Sequence, residues 1–381
     1  MITSLHIKNF KSHEDTNLEL SNVNILTGKN GMGKSSAMQP ILLLRQSYFK
    51  NQLLRGLELN GDLCSIGTAK DAIFMAAESD EIEFKIWQNN IGRNWGEYNI
   101  AFRVNHGRDF DTFLGCNMYS CSNLSPIPES SICNNNFQYV SAFRIGPLPI
   151  YPKNTRLVEN FNQMSITEGR CELIAHYLHY FKDSPVTDNS MMKDNSDVPE
   201  LKYQVIEWLK EISPDIKNIH IEEVAGDSYK MDYSFSRGEG EPETNKFKAM
   251  NVGFGVSYVL PIIVAALHTP KDGLVLIENP ESHIHPAGQA KLMELICKSA
   301  KAGVQFIIET HSDHIINGLL VATKKEIIDP DDSRVYYFDR KISTHATQVT
   351  HVPVLKGGKI PNPPDNFFDQ MDKDMITLMG F

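Results

Sequence analysis

The stretch Gly28-Lys29-Asn30-Gly31-Met32-Gly33-Lys34-Ser35 decides how this chain is read. It follows an apolar run, Val23-Asn24-Ile25-Leu26-Thr27, and opens a helical pattern that ends near Phe49. That is the strand–loop–helix setting a phosphate-binding loop needs. Glycines let backbone N–H groups turn inward around phosphate oxygens, and the helix start adds the positive end of its dipole. In such a loop Lys34 reaches the terminal phosphates and the Ser35 hydroxyl takes a place on Mg²⁺. Asn30, Gly31, Gly33, Lys34, Ser35 and Ser36 are the expected nucleotide contacts.

Three further segments fit a nucleotide-hydrolysing site. Gly273 to Ile277 is a short apolar run, the pattern of a buried parallel strand, and it ends in Glu278-Asn279-Pro280-Glu281. A carboxylate at the carboxyl end of a central strand is where such folds hold Mg²⁺, so Glu278 joins Ser35 as an expected metal group. Val304 to Ile308 ends in Glu309-Thr310-His311-Ser312, where His311 can donate to a γ-phosphate or to attacking water. Upstream, Asn251-Val252-Gly253-Phe254-Gly255-Val256-Ser257 opens an apolar helix through Leu267. It is a second anion-binding helix start, with Asn251, Gly253, Gly255 and Ser257 as its expected contacts. Each segment alone has a plainer reading: a strand cap, a structural histidine, a turn. Their order is that of the ABC class of ATPases.

Composition narrows the setting. The 381 residues, 41% hydrophobic and 22% charged, suit a globular chain with a large core. A formal charge of −10 supplies no general field for nucleic acid, so DNA contact is possible only locally or through a partner. The N-terminus lacks signal-peptide character, and no apolar run approaches the ~18 residues of a spanning helix. A cytoplasmic protein with no membrane partner is expected. Among six cysteines, Cys116, Cys121 and Cys133 share a polar segment with His106 but lack paired metal-site spacing, so reduced thiols are expected.

Ile7-Lys8-Asn9-Phe10-Lys11-Ser12-His13 looks like the first strand of the SMC, RecF and Rad families of DNA-repair ATPases. Glu278 through Pro286 resembles the Walker B motif and following loop of bacterial OLD-like or RecF-like AAA ATPases. Tyr139 through Pro147 resembles a central motif of one bacterial subfamily that carries a short uncharacterised C-terminal domain. Gly358-Lys359-Ile360 and Asn366 through Gln370 look like that domain's closing motif. The resemblance implies an α/β fold, an ABC-ATPase head of the P-loop NTPase type. It would have a mixed β-sheet core, an antiparallel β subdomain and an inserted helical lobe. The expected divisions are 1–54 for the phosphate-loop part and 55–150 for a β-rich subdomain with an irregular insertion at 105–138. A helical insertion at 151–218, the second part of the ATPase core at 219–330 and a short C-terminal domain at 331–381 complete it. Residues 155–213 read mainly as helix, broken by a mobile polar stretch from Ser184 to Pro199.

The resemblance implies ATP and Mg²⁺ as cofactors and a homodimer in which two heads sandwich two ATP molecules, each phosphate loop facing the other head's glycine turn. Two departures stand out. Pro40 lies inside the first helix, where a kink or a short first segment is expected. Asn279 stands where the class has its catalytic glutamate, and an amide orients water without accepting its proton. Glu281 and Glu309 are the available carboxylates; the resemblance ranks Glu281 first, because in the class the turn after the acidic strand passes near the γ-phosphate. Slow or absent hydrolysis, with ATP as a dimer clamp, is the third possibility. The expected function is an ATPase that controls a separate effector, a nuclease or toxin, in phage defence or DNA repair. The alternative is a non-hydrolysing ATP-binding scaffold. Only about 70 residues follow His311 in a chain of 381, too few for the usual independent nuclease domain. A transporter half is disfavoured because no Leu-Ser-Gly-Gly-Gln precedes Glu278.

Overall fold

The computed structural model describes residues 1–91, 94–105, 107–121, 130–193, 196–365, 367–368 and 370–379. It begins with β1 (Ile2–Phe10), β2 (His13–Glu19), β3 (Val23–Gly28) and α1 (Lys34–Phe49). Next come β4 (Gly56–Glu58), α2 (Ala69–Ala72), β5 (Glu81–Ile91), β6 (Asn94–Asn105) and β7 (Phe113–Cys121). β8 (Phe137–Val140) and β9 (Tyr151–Pro152) lead to α3 (Ile174–Phe181) and α4 (Leu201–Leu209), then β10 (Ile216–Val224), β11 (Ser228–Phe235) and β12 (Phe247–Lys248). The remainder is α5 (Phe254–His268), β13 (Leu274–Glu278), α6 (Pro286–Lys301), β14 (Gln305–Glu309) and α7 (Asp313–Lys324), followed by β15 (Ser333–Arg340), β16 (Thr347–His351) and α8 (Gln370–Met379).

The short apolar runs become the central sheet. Five strands run parallel in the order β8-β13-β14-β3-β15, and β16 lies antiparallel beyond β15. Both faces are covered, which is why these strands read as continuous apolar runs. Val275, Ile277, Phe306 and Ile308 enter one core with α5, α6 and α7; Leu274, Leu276 and Ile307 enter another with α1 and β1. Each fully buried side chain of this size contributes about 1.5–3 kcal/mol, so register is firmly set. Register in turn aligns the carboxyl ends: Glu278 pairs with Glu309, and Glu309 with Leu26. An antiparallel sheet, β2-β1-β5-β6-β7-β4, lies beside this core, and β10-β11-β12 with β9 forms a third sheet.

Some expectations change. α1 runs through Pro40 as one sixteen-residue helix, not as a short first segment. An interior proline costs about 3 kcal/mol, less than burying Ile41, Leu42, Leu43 and Leu44 returns. Residues 155–213 are less helical than their pattern suggests, with α3 and α4 joined by irregular chain. Gln163 donates to the carbonyls of Phe137 and Phe161 at 2.9 Å each, and Gln204 donates to Val198 O at 2.6 Å and accepts from Lys193 N at 2.8 Å. Side chains that satisfy loop backbone groups remove the need for a helix to do so. The same bonds tie the described part of 184–199 to α4, so it is anchored. The 105–138 segment contains β7 and the start of β8, while His106 and residues 122–129 lie outside the described residues. Asn366 and Asp369 of the closing motif lie outside them too. Among the described residues no helix is long and apolar enough to cross a membrane.

Candidate nucleotide site

β3 ends at Gly28, where φ is 132° and an added Cβ would lie 2.2 Å from the Phe338 carbonyl oxygen. Gly33 caps α1 with φ 103°, and a Cβ there would meet Thr347 Oγ1 at 2.4 Å. Only glycine fits either place. Lys34 is 3% exposed. Its ammonium donates to the carbonyls of Gly28 at 2.9 Å and Lys29 at 2.7 Å. Burial lowers its pKa, against the pull of Glu309 and Glu281. A cation held over the loop by two neutral carbonyls can exchange them for phosphate oxygens, which bind it more strongly. Asn30, Gly31 and Ser35 are exposed and Ser36 is half-buried around this loop.

His13 supports the loop from β2. Burial pushes its pKa down to about 4, so the ring is neutral. Its Nε2 donates to the Gly33 carbonyl at 3.0 Å, leaving Nδ1 to accept from the Thr16 hydroxyl at 3.0 Å. The tautomer follows because a carbonyl can only accept.

Beside the loop lies the acidic edge. The Glu278 carboxylate accepts from the Tyr139 hydroxyl and from the Ala142 N–H, each at 3.0 Å. Arg144, 1% exposed, donates to the carbonyls of Ser141 (3.0 Å), Tyr258 (2.9 Å), Glu278 (2.8 Å) and Asn279 (2.8 Å). A buried guanidinium is tolerable only when its donors are used this fully. The Tyr139–Pro147 motif therefore fixes the end of β13, a task that nothing in its local sequence signals. Asn279 sits at φ 46° and donates its N–H to the Glu309 carbonyl at 2.8 Å.

Glu281 reaches across to the end of β14, accepting from the Thr310 hydroxyl at 2.7 Å and the His311 N–H at 2.8 Å. The His311 ring lies by the Gly28 backbone; burial and then Lys34 lower its pKa, against Glu281. Glu309 is 6% exposed, and its Oε2 has no hydrogen-bond partner. Burial pushes its pKa up to about 7, against the Ser35 hydroxyl and with the help of Glu278. The fold thus gathers Lys34, Ser35, Glu278, Glu281, Glu309 and His311 at one edge of the central sheet.

The second glycine turn is placed elsewhere. A Cβ on Gly255 would lie 2.5 Å from the His283 carbonyl oxygen, and the Phe254 and Tyr258 rings pack on His283 at 5.8 and 4.6 Å. Asn251 and Gly253 are exposed at the helix start, whereas Ser257 is buried beneath it. Among the described residues these contacts run to His283 and Arg144, not to the phosphate loop.

Comparison with known proteins speaks to the domains and the fold that carry this edge. Residues 1–111 match a family model described as "AAA ATPase domain", and residues 158–317 one described as "AAA domain, putative AbiEii toxin, Type IV TA system". Residues 328–378 match "Protein of unknown function (DUF3696)". The chain thus carries the AAA ATPase domains that the first two models describe. An OLD nuclease of Thermus scotoductus is 24% identical to this ATPase-family chain over 349 residues, 82% of the chain and 59% of that protein. The chain therefore spans less than two-thirds of that relative. An Smc head bound to the C-terminal winged-helix domain of ScpA superposes with a TM-score of 0.58 at 15% identity, covering 93% of this chain and 98% of that one. An Smc head with an extended coiled coil, bound to the C-terminal domain of ScpA from Pyrococcus furiosus, gives 0.54 at 15%, covering 99% and 98%. At such identity the likeness is one of fold, the ABC-ATPase head with its mixed sheet.

Proposed function

We propose that this ABC-class ATPase binds ATP with Mg²⁺ at the edge formed by the phosphate loop, Glu278 and His311, and hydrolyses it slowly. The bound nucleotide would join two heads and control a separate effector protein, a nuclease or toxin, in phage defence or DNA repair. The observation that carries the nucleotide reading is Lys34, buried over its own glycine loop beside Glu309 and Glu281. The oxygen donors Ser35 and Glu278 suit a hard cation and would hold Mg²⁺, which would neutralise phosphate charge. The orphaned, buried Glu309 Oε2 is a further negative group that such a cation would balance. A cavity of about 420 Å³ beside the loop, lined in part by Lys11, Ser12, Asp71 and His345, offers polar partners for the nucleoside end.

In hydrolysis a water oxygen bonds to the γ-phosphorus as the bond to the ADP oxygen breaks, and the water's proton needs an acceptor. Sequence ranking favours Glu281, but both its oxygens already accept hydrogen bonds, while Glu309 keeps one free. We assign proton acceptance to Glu309, with Glu281 holding the backbone that carries His311. Positioning and charge dominate phosphoryl transfer, which makes slow turnover compatible with Asn279. Dimerisation draws its support from the exposed start of α5, where Asn251 and Gly253 leave a helix N-terminus open to a second phosphate. The scaffold alternative is favoured by Asn279 alone.

Lys34→Ala is expected to weaken Mg-ATP binding about 10²-fold, the worth of one strong charge-assisted contact. Isothermal titration measures this, and unchanged affinity would overturn the assignment of the loop. Phosphate release by the wild type separates ATPase from scaffold.

A further inference from the structure

Three consecutive carbonyls of the phosphate loop are held by side chains from outside it. Gly33 O accepts from His13 at 3.0 Å, Met32 O accepts from the Thr347 hydroxyl at 2.9 Å, and Gly31 O accepts from Arg340. Thr347 has one hydroxyl proton, committed to Met32, so the Ser12 hydroxyl 2.7 Å away donates to Thr347 in turn. The Thr347 N–H also donates to Ser12 O at 2.7 Å, which ties β16 to the β1–β2 turn. In a trans peptide the C=O of one residue and the N–H of the next point in opposite directions. Holding the carbonyls of residues 31, 32 and 33 on the protein side therefore turns the N–H groups of Met32, Gly33 and Lys34 to the other side, where a phosphate would sit. Beyond its own chain neighbours, no atom lies within 4 Å of where a Gly31 Cβ would be, so the loop is open at this point.

Two of the three holding side chains, Arg340 and Thr347, come from the β15–β16 hairpin, inside the 328–378 segment matched only to a domain of unknown function. β15 also pairs with β3 up to Phe338 and Gly28, so the hairpin is built onto the loop's own strand. We propose that this hairpin is a working part of the nucleotide site: Arg340 and Thr347 are positioning residues that hold the phosphate-loop amides in their receiving orientation. This rests on the ATP reading of the site. Because coupling is reciprocal, bound nucleotide must also steady the hairpin. The C-terminal segment thereby gains a means of sensing whether the loop is filled.

The experiment compares wild type, Thr347→Val, Thr347→Ser and Arg340→Gln in the full chain. Titration with Mg-ATP and amide hydrogen exchange over residues 333–351 are the readouts. Thr347→Val keeps the shape and removes the donor, and it should weaken ATP binding about tenfold, the upper end for one hydrogen bond. Thr347→Ser restores the donor and should come within about twofold of wild type. Arg340→Gln, at a half-buried rim position, should weaken binding in the same direction, which keeps the test alive if the valine variant folds poorly. Saturating ATP should slow exchange across 333–351 in wild type. Unchanged affinity in Thr347→Val and Arg340→Gln, or a hairpin whose exchange ignores ATP, overturns the proposal while leaving the ATP site standing. A wild type that binds no ATP overturns both.

Discussion

The molecule has two glycine-rich helix starts, and they are built differently. At Gly28 to Ser35 the glycines have positive φ, and the loop's carbonyls are held by Lys34, His13, Thr347 and Arg340. At Asn251 to Ser257 Gly253 has an ordinary φ of −55°, and Gly255 is required by the nearness of the His283 carbonyl. Phe254 and Met250 stand exposed beside that turn. The first start is organised in advance, its conformational entropy already spent by contacts within the chain. The second is exposed at Asn251 and Gly253 and has no such frame. The same residue type therefore does two jobs, a conformational one and a steric one, and mutation can tell them apart.

The largest expected effect lies beside the organised loop. Glu309→Gln should lower ATP turnover about 10²–10⁴-fold if its free oxygen accepts the proton, while nucleotide still binds. Steady-state phosphate release is the assay. A greater loss from Glu281→Gln than from Glu309→Gln would return the role to Glu281.

Acid should weaken the fold through the same loop. His13 is neutral in the folded chain, its pKa near 4 against an ordinary 6.5. Below pH 6.5 the unfolded chain takes up a proton that the folded one refuses, so stability falls as pH drops from about 6.5 toward 4. The full shift corresponds to about 3 kcal/mol. His268, with the same depressed value, acts in the same direction. Urea midpoints measured across that range should fall less steeply in His13→Gln than in wild type; equal slopes would show that His13 is not buried as described.

The two glycines of the second turn should separate cleanly. Gly255→Ala forces a methyl against the His283 carbonyl and should cost about 1–3 kcal/mol without any nucleotide present. Gly253 faces open space, so Gly253→Trp should leave the fold nearly intact and suppress ATP-dependent dimerisation, read by sedimentation. A Gly253→Trp protein that still dimerises on ATP would place the dimer contact elsewhere.

Much of the candidate site is legible in the sequence because its signals are local. An apolar run, a positive-φ glycine and a strand-terminal acid are each written within a few residues, and the order of these pieces carried the fold. The holding contacts are not local. Arg340 lies 309 positions from Gly31, and Thr347 lies 315 from Met32. A bond to a backbone carbonyl leaves no periodic trace in either partner's sequence. Arg144 was hidden for the same reason: its four carbonyl partners are spread from Ser141 to Asn279. The helical content of 155–213 was overestimated because glutamines that cap loop carbonyls look, in sequence, like ordinary helix surface.

The smallest expected effect concerns Asn279. Restoring the glutamate of the ABC class is the obvious way to raise turnover, but the backbone there is left-handed, with φ 46°. Asparagine visits that region more readily than a longer side chain, since its short amide can bond locally. The Asn279 N–H is also committed to the Glu309 carbonyl, and Arg144 holds the carbonyl of the same residue, so the backbone is not free to relax. Asn279→Glu should therefore cost about 1 kcal/mol of stability, and any gain in turnover has to come in spite of that strain. Asn279→Gly relieves the strain and should stay within about 0.5 kcal/mol of wild type. Urea denaturation of the two variants side by side decides the matter. A glutamate variant as stable as the glycine one would mean that the turn tolerates the longer side chain, and that asparagine at this position answers to the chemistry instead of the backbone.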